Sequence, residues 1–339
     1  MYLHTQQSPQ PSNSVSQRRT QMGIGNECFN EAAVCLQMYY KNIESLAVHS
    51  DTTTCPTYIA TVSGREPFLL QFRPRTDQHL LIGAERQDFV RQHLGGNLVP
   101  FMKLVDEYVE ISGIQYRLYE QSIVPGEPFS NIWANDELFK LPKAAEEIAR
   151  VLAKCMIPDS TSHEYFDSWH APARNKLYAA CRTTDPLLEP FIDDFKEIEK
   201  AVEEGVLDEL PLAIRNSFVT PLNFFVTKEG NVSGIINWQP YYCEIRPLGS
   251  ELHAINWIKS RYAGDHFEDI ESTSEIESRF WKAFYSSIPR EIAAKRNALQ
   301  WAMKLGVFLK NVSNGKCRSP DVIHTFRAEL DYVIPPYEA

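Results

Sequence analysis

The period of the apolar residues changes once along this 339-residue chain, and that change restricts the fold more than any other feature. Up to about residue 124 the apolar side chains alternate, or run unbroken, over strand lengths: 43–48, 57–62, 67–73, 102–107, 109–111 and 115–122. Ser63-Gly64 separates the second run from the third and Val124-Pro125-Gly126 closes the last, so the first three runs predict an antiparallel meander. Two helical stretches accompany them, 27–40 and 84–94, the second stopped by Gly95-Gly96. From Leu141 onward the period is helical. Pro142 suits a first turn, and Ala145, Ile148, Ala149, Leu152 and Ala153 share one apolar face. Further helices are predicted over 191–204, 251–262, 267–285, 289–311 and 319–333, interrupted by a hairpin of 224–226 and 232–238 around Lys228-Glu229-Gly230-Asn231. Strands gathered ahead of helices imply an α+β fold rather than repeating βαβ units. The expected domains are a small lobe with an antiparallel sheet over 25–124 and a larger helical lobe over 125–339. Residues 1–24 are rich in Gln, Ser and Pro and read as a disordered tail, since they have little apolar surface to offset their ordering entropy.

Composition removes several function classes. The chain carries 34 basic and 44 acidic side chains, a net charge of −10, with no dense Lys/Arg stripe. It is a poor partner for nucleic acid or an anionic membrane surface. No run reaches the ~18 apolar residues of a membrane span, and no hydrophobic signal core is present. The seven cysteines (Cys28, Cys35, Cys55, Cys155, Cys181, Cys243 and Cys317) are odd in number and scattered, which disfavours a disulfide framework or a zinc site and points to the cytoplasm. His163, Asp167 and His170 have spacings that invite a metal, but lack a third strong ligand, so a solvated loop is the expectation.

Four segments carry the chemistry: Leu69-Leu70-Gln71-Phe72; Glu85 in a helix fifteen positions before Pro100; Tyr119-Glu120-Gln121-Ser122 leading to Pro125-Gly126; and Asn216-Ser-Phe-Val-Thr-Pro-Leu-Asn223 followed by Gly234-Ile-Ile-Asn-Trp238. Together they resemble the aminoglycoside phosphotransferase and choline kinase family of the protein-kinase-like fold, as a degenerate member of fungal type, over about residues 43–262. The resemblance implies a two-lobed kinase-like fold with a nucleotide cleft. It also implies which side chains have been replaced. Gln71 stands where the family has its phosphate-pairing lysine, and Arg73 is a candidate substitute on the same strand face, about 7 Å along. Glu85 loses that lysine as its partner. Glu120 and Gln121 stand at the hinge, where backbone groups would meet an adenine, and the loop 49–56 that would cover the phosphates has no glycine. Asn216 replaces the family's histidine, Phe218 its catalytic aspartate and Asn237 its metal-binding aspartate, while the metal-binding asparagine remains as Asn223. Phosphoryl transfer depends on those charges.

Three readings of function follow. A crevice stripped of ionic groups suits a small apolar organic ligand, and could guide a cyclisation, cycloaddition or isomerisation without any cofactor or metal. The alternatives are a pseudokinase acting as a binding or regulatory module through a protein partner, and a residual small-molecule kinase. Trp238 and Tyr241 are further pocket candidates, each with a packing role as its competing assignment. The sequons at Asn231 and Asn311 carry little weight without a secretion signal.

Overall fold

The computed structural model describes residues 25–50, 56–75, 84–157, 169–216, 219–238, 243–263, 266–320 and 323–337. The proposed tail, His163, Asp167, Phe218 and Tyr241 lie outside these residues, as does the side chain of Glu85. The chain divides into two compact units.

The first unit holds the chain up to Asp88 together with Pro100–Ile123. Helix α1 (Gly25–Tyr39) precedes strands β1 (Ile43–Ser50), β2 (Thr57–Val62) and β3 (Phe68–Pro74). Helix α2 (Ala84–Leu94), β4 (Met102–Ile111) and β5 (Ile114–Ser122) follow. The strands form one antiparallel sheet in the order β1-β2-β3-β5-β4, so the expected meander is present as its first three members. The two runs predicted at 102–107 and 109–111 are a single strand. Register shifts between Leu104 and Asp106 and between Asp106 and Val109 absorb the polar interruption, as bulges do. One sheet face, carrying Tyr58, Ala60, Phe68, Leu70, Phe72, Tyr116 and Leu118, packs against Ala32, Leu36 and Tyr40.

The second unit holds Phe89–Val99 and everything from Val124. The division therefore falls inside α2, and the small lobe expected over 25–124 gives up 89–99, because Val90, Leu94 and Val99 are buried in the helical unit's core. This unit contains β6 (Glu127–Pro128), α3 (Ser130–Ala134), α4 (Leu141–Lys154), α5 (His170–Ala180), α6 (Ile192–Glu203), β7 (Leu212–Asn216), β8 (Phe224–Val226), β9 (Val232–Ile235) and β10 (Cys243–Pro247). Helices α7 (Ala254–Lys259), α8 (Thr273–Ser286), α9 (Arg290–Ala293), α10 (Arg296–Asn311) and α11 (Ile323–Asp331) complete it. The apolar face read on α4 is buried, with Ala145, Ile148, Ala149 and Leu152 inside. β6, β8 and β9 form one small sheet, and β7 pairs with β10 in a second.

The helix expected over 251–262 ends at Lys259, and Ser260–Tyr262 pairs instead with Phe267–Asp269. That pairing also delays the next helix to Thr273, whose Oγ1 accepts the Ile270 N–H at 2.9 Å. The 289–311 stretch is two helices, broken at Ala294-Lys295. α10 passes very close to the turn before α7: a Cβ on Gly306 would lie 1.7 Å from the Ser250 carbonyl oxygen, so only glycine fits. No helix among the described residues is long and apolar enough to cross a membrane, and no metal-binding cluster of His, Cys, Asp or Glu occurs among them.

Candidate functional site

In the helical unit, β7 delivers Asn216 to the edge of the β8–β9 hairpin. Asn216 is buried, and its Nδ2 donates to the Ile236 carbonyl at 2.9 Å. A tight turn, Asn223 N–H to Thr220 O at 3.1 Å, brings the chain back into β8. The Ile236 N–H then donates to the Asn223 carbonyl at 3.0 Å, which sets the end of β9 beside the start of β8. At this point Asn237 takes a left-handed backbone conformation, φ 64°, tolerated by asparagine better than by most residues. Its Nδ2 donates to Asn223 Oδ1 at 2.7 Å. Asn223 is 4% exposed, whereas Asn237 faces solvent. Three of the predicted site residues thus converge on one corner, Asn237 bonded to Asn223 directly and Asn216 to the backbone of Ile236 between them. Trp238 is buried, its indole N–H given to the Ile235 carbonyl at 2.9 Å, and it serves packing.

The resemblance implies a divalent cation under a nucleotide at this corner. Magnesium favours carboxylate and phosphate oxygens in strict octahedral geometry. Here the two candidate ligands are neutral amides, and one amide oxygen is already occupied by the other residue's N–H. Exchanging N and O on both residues leaves the same count. The only acidic residue between Leu212 and Trp238 is Glu229, exposed in the hairpin turn. Among the described residues, this corner offers neutral amides and no cluster of carboxylates to hold magnesium under a nucleotide.

Behind the corner, Arg215 is buried and its Nε donates to Glu251 Oε1. His253 Nε2 lies 3.6 Å from Glu251 Oε2. Burial first, then Lys310 and Arg215, hold the His253 pKa well below its ordinary value, so the ring is neutral. A narrow recess runs between this ion pair and the apolar side chains of Leu152, Val219, Phe224 and Phe284, with Asn216 at one wall.

In the sheet unit, Gln71 and Arg73 share the sheet face opposite the apolar core. Arg73 is the candidate substitute for the cation that Gln71 lacks. It folds back instead, giving Nε and Nη2 to Gln71 Oε1 at 3.2 and 2.6 Å, and its guanidinium lies 5.5 Å from the Tyr119 ring centroid. The two hinge candidates lie on opposite faces. Gln121 is buried on the Gln71 side, paired in register with Leu69. Glu120 points to the α1 side, where Tyr40 Oη donates to it at 2.7 Å and Arg65 Nη2 at 2.5 Å. Burial pushes the Glu120 pKa up, but the Arg65 and Tyr40 hydrogen bonds outweigh it and hold the carboxyl below the usual glutamate value. Burial, reinforced by Glu120, raises that of the Tyr40 hydroxyl. Glu120 is a structural clasp for α1. Sequence reasoning missed this clasp, because Tyr40, Arg65 and Glu120 are far apart in the chain and share no motif.

No protein-family model and no curated protein matches the sequence. Solved structures do. An amicoumacin kinase in complex with AMP-PNP and Ca2+ superposes over 87% of this chain and 89% of its own, with a TM-score of 0.51 at 13% identity. The aminoglycoside phosphotransferase APH(4)-Ia covers 83% of this chain and 89% of its own, with a TM-score of 0.53 at 13% identity. The fold is that of an aminoglycoside phosphotransferase. Identity at this level speaks for fold alone, so the roles of residues in this phosphotransferase-fold chain rest on the contacts described above.

Proposed function

We propose that this protein no longer transfers phosphate and that its Asn216–Asn223–Asn237 corner serves a neutral, largely apolar organic ligand. The observation that carries the reading is the hydrogen bond between Asn237 Nδ2 and Asn223 Oδ1. Two positions that would hold a cation under the resemblance are hydrogen-bonded to each other instead, and both are neutral amides. Gln71 supports it, being an acceptor for Arg73 rather than a cation aimed at phosphate.

Within that reading, the activity that suits such a corner is a cofactor-independent cyclisation, cycloaddition or isomerisation, in which the protein holds a reactive conformer and amide N–H groups meet developing negative charge. A cytoplasmic setting suits the free thiols Cys35, Cys155, Cys181 and Cys317. A pseudokinase reading draws on a different observation: Gln71, Arg73, Glu120, Asn223 and Asn237 are all engaged with other side chains of the protein, as in a scaffold whose old site is closed chemistry.

Differential scanning fluorimetry and calorimetric titration with ATP, with and without Mg2+, test the shared premise. The expected result is no Mg2+-dependent stabilisation. A clear magnesium-dependent affinity for ATP overturns it.

A further inference from the structure

His253 is a buried titratable side chain to which the proposed function gives no part. It sits at the start of α7 inside the helical unit, both ring nitrogens are out of reach of water, and neither is hydrogen-bonded to another of the described residues. Charged groups surround it. Lys310 of α10, Arg215 of β7 and Arg246 of β10 bear on it electrostatically, and Glu251, in the turn before α7, brings Oε2 to 3.6 Å from Nε2. Lys310 is held in turn by Glu329 of α11 at 2.8 Å. Glu251 is shared, since its Oε1 accepts from Arg215 Nε. These same two residues wall the recess behind the corner, together with Asn216 and Cys155.

We propose that His253 is an acid-operated latch on this recess: proton uptake by the ring draws Glu251 away from Arg215 and opens the recess to water. The neutral ring tolerates its dry packing. The imidazolium carries a full charge and two N–H donors, and a buried charge has to be paired or hydrated. Its nearest acceptor is Glu251 Oε2, and taking it weakens the hold of that carboxylate on Arg215. Arg215 then needs the water that the recess can admit. Asn256 Nδ2 and Trp257 Nε1, one turn further along α7, are buried without a hydrogen-bond partner among the described residues, so the same water gives them one. The direction follows from linkage: an open ring of ordinary affinity binds protons more tightly than the closed one, and falling pH favours the open form. Arg215 adjoins Asn216, whose amide supports the Ile236 carbonyl, so opening also loosens the asparagine corner.

The test labels the full chain with 4,4′-dithiodipyridine between pH 7.5 and pH 5 and resolves the modified cysteines by mass spectrometry. Cys155 is buried and lines the recess, so it reports opening there. Cys35 is buried in the core of the sheet unit and reports unfolding that is not local. Dividing the Cys155 rate by the Cys35 rate cancels the pH dependence of the reagent. The ratio is expected to rise by up to about thirtyfold from pH 7.5 to pH 5, the change in protonation of an open imidazole with a pKa of about 6.5. In His253→Gln, which keeps a polar side chain without the titration, the ratio is expected to stay flat. A rise in this variant equal to that of the parent overturns the latch. So does a flat ratio in the unaltered protein, which needs no variant to fold; both thiols reacting faster in step gives that flat ratio and means that acid unfolds the chain as a whole.

Discussion

Asn237 reaches across the base of the β8–β9 hairpin to Asn223, Nδ2 to Oδ1 at 2.7 Å, and does so from a left-handed backbone. The pair is held from below by the Asn216 amide on the Ile236 carbonyl. Neutral amides therefore join the end of β9 to the start of β8 and to β7.

Because Asn237 combines a positive φ with a side-chain hydrogen bond, two substitutions separate these contributions. Asn237→Ala loses the bond and keeps a Cβ in the left-handed region without the local polar side chain that lets asparagine tolerate it, and should cost about 1–3 kcal/mol. Asn237→Gly loses the same bond but fits the backbone freely, so it should cost less than the alanine variant. Urea unfolding of both proteins measures the order; an alanine variant as stable as the glycine one would show that the backbone is not held at φ 64°.

Glu120 gives a stability prediction and a pH prediction. Glu120→Gln leaves Arg65 and Tyr40 with a weaker acceptor, and since Arg65 is 42% exposed the loss should be only about 1–2 kcal/mol. The folded carboxyl has a lowered pKa, so its contribution is fully present above the unfolded glutamate value of about 4.3 and fades as pH falls below it. Stability measured from pH 7 to pH 3 should fall less steeply in the acid limb for the Gln variant. Parallel curves would refute the clasp.

His253 acts at higher pH. Its folded pKa is depressed, so between that value and about 6.5 the unfolded chain binds a proton that the folded chain refuses. Stability from this residue is therefore complete above about pH 6.5 and declines on acidification below it. His253→Gln keeps a polar side chain of similar reach and removes the titration. The slope of unfolding free energy against pH between 5 and 6.5 should be shallower in the variant, and an unchanged slope would mean the ring is protonated in the fold.

The three-stranded meander, the apolar face of α4 and the hairpin were legible because each is written in a local period that burial enforces. β7 and β10 were not. Their sequences, Leu-Ala-Ile-Arg-Asn and Cys-Glu-Ile-Arg-Pro, place Arg215 and Arg246 inside the protein, where a period-based reading expects apolar side chains. The helix expected from 251 failed at Ser260 for a related reason: an antiparallel partner at 267–269 outcompetes helical continuation, and that partner is invisible from within the segment. At the site, the neutral identities of Gln71, Asn223 and Asn237 could be read from the sequence. Their contacts could not, because whether Arg73 projects outward or folds onto Gln71 depends on side-chain direction, which strand alternation leaves open.

That folded-back arginine makes a lysine at position 71 unfavourable. Gln71→Lys would install the cation the family's chemistry calls for, but on the site of the carbonyl that now accepts from Arg73 Nε and Nη2. Arg73 is 4% exposed, so it would lose an acceptor and gain a like charge within a few ångströms in a poorly hydrated place. The expected outcome is destabilisation of about 2–3 kcal/mol with no gain of ATP binding. Gln71→Met separates the two causes: it removes the acceptor but adds no charge, and should cost less, about 1–2 kcal/mol. Thermal melts of both variants, with and without ATP and Mg2+, measure this. A lysine variant that is as stable as the parent and binds nucleotide would mean that Arg73 swings away readily and that Gln71 alone separates this protein from phosphate chemistry.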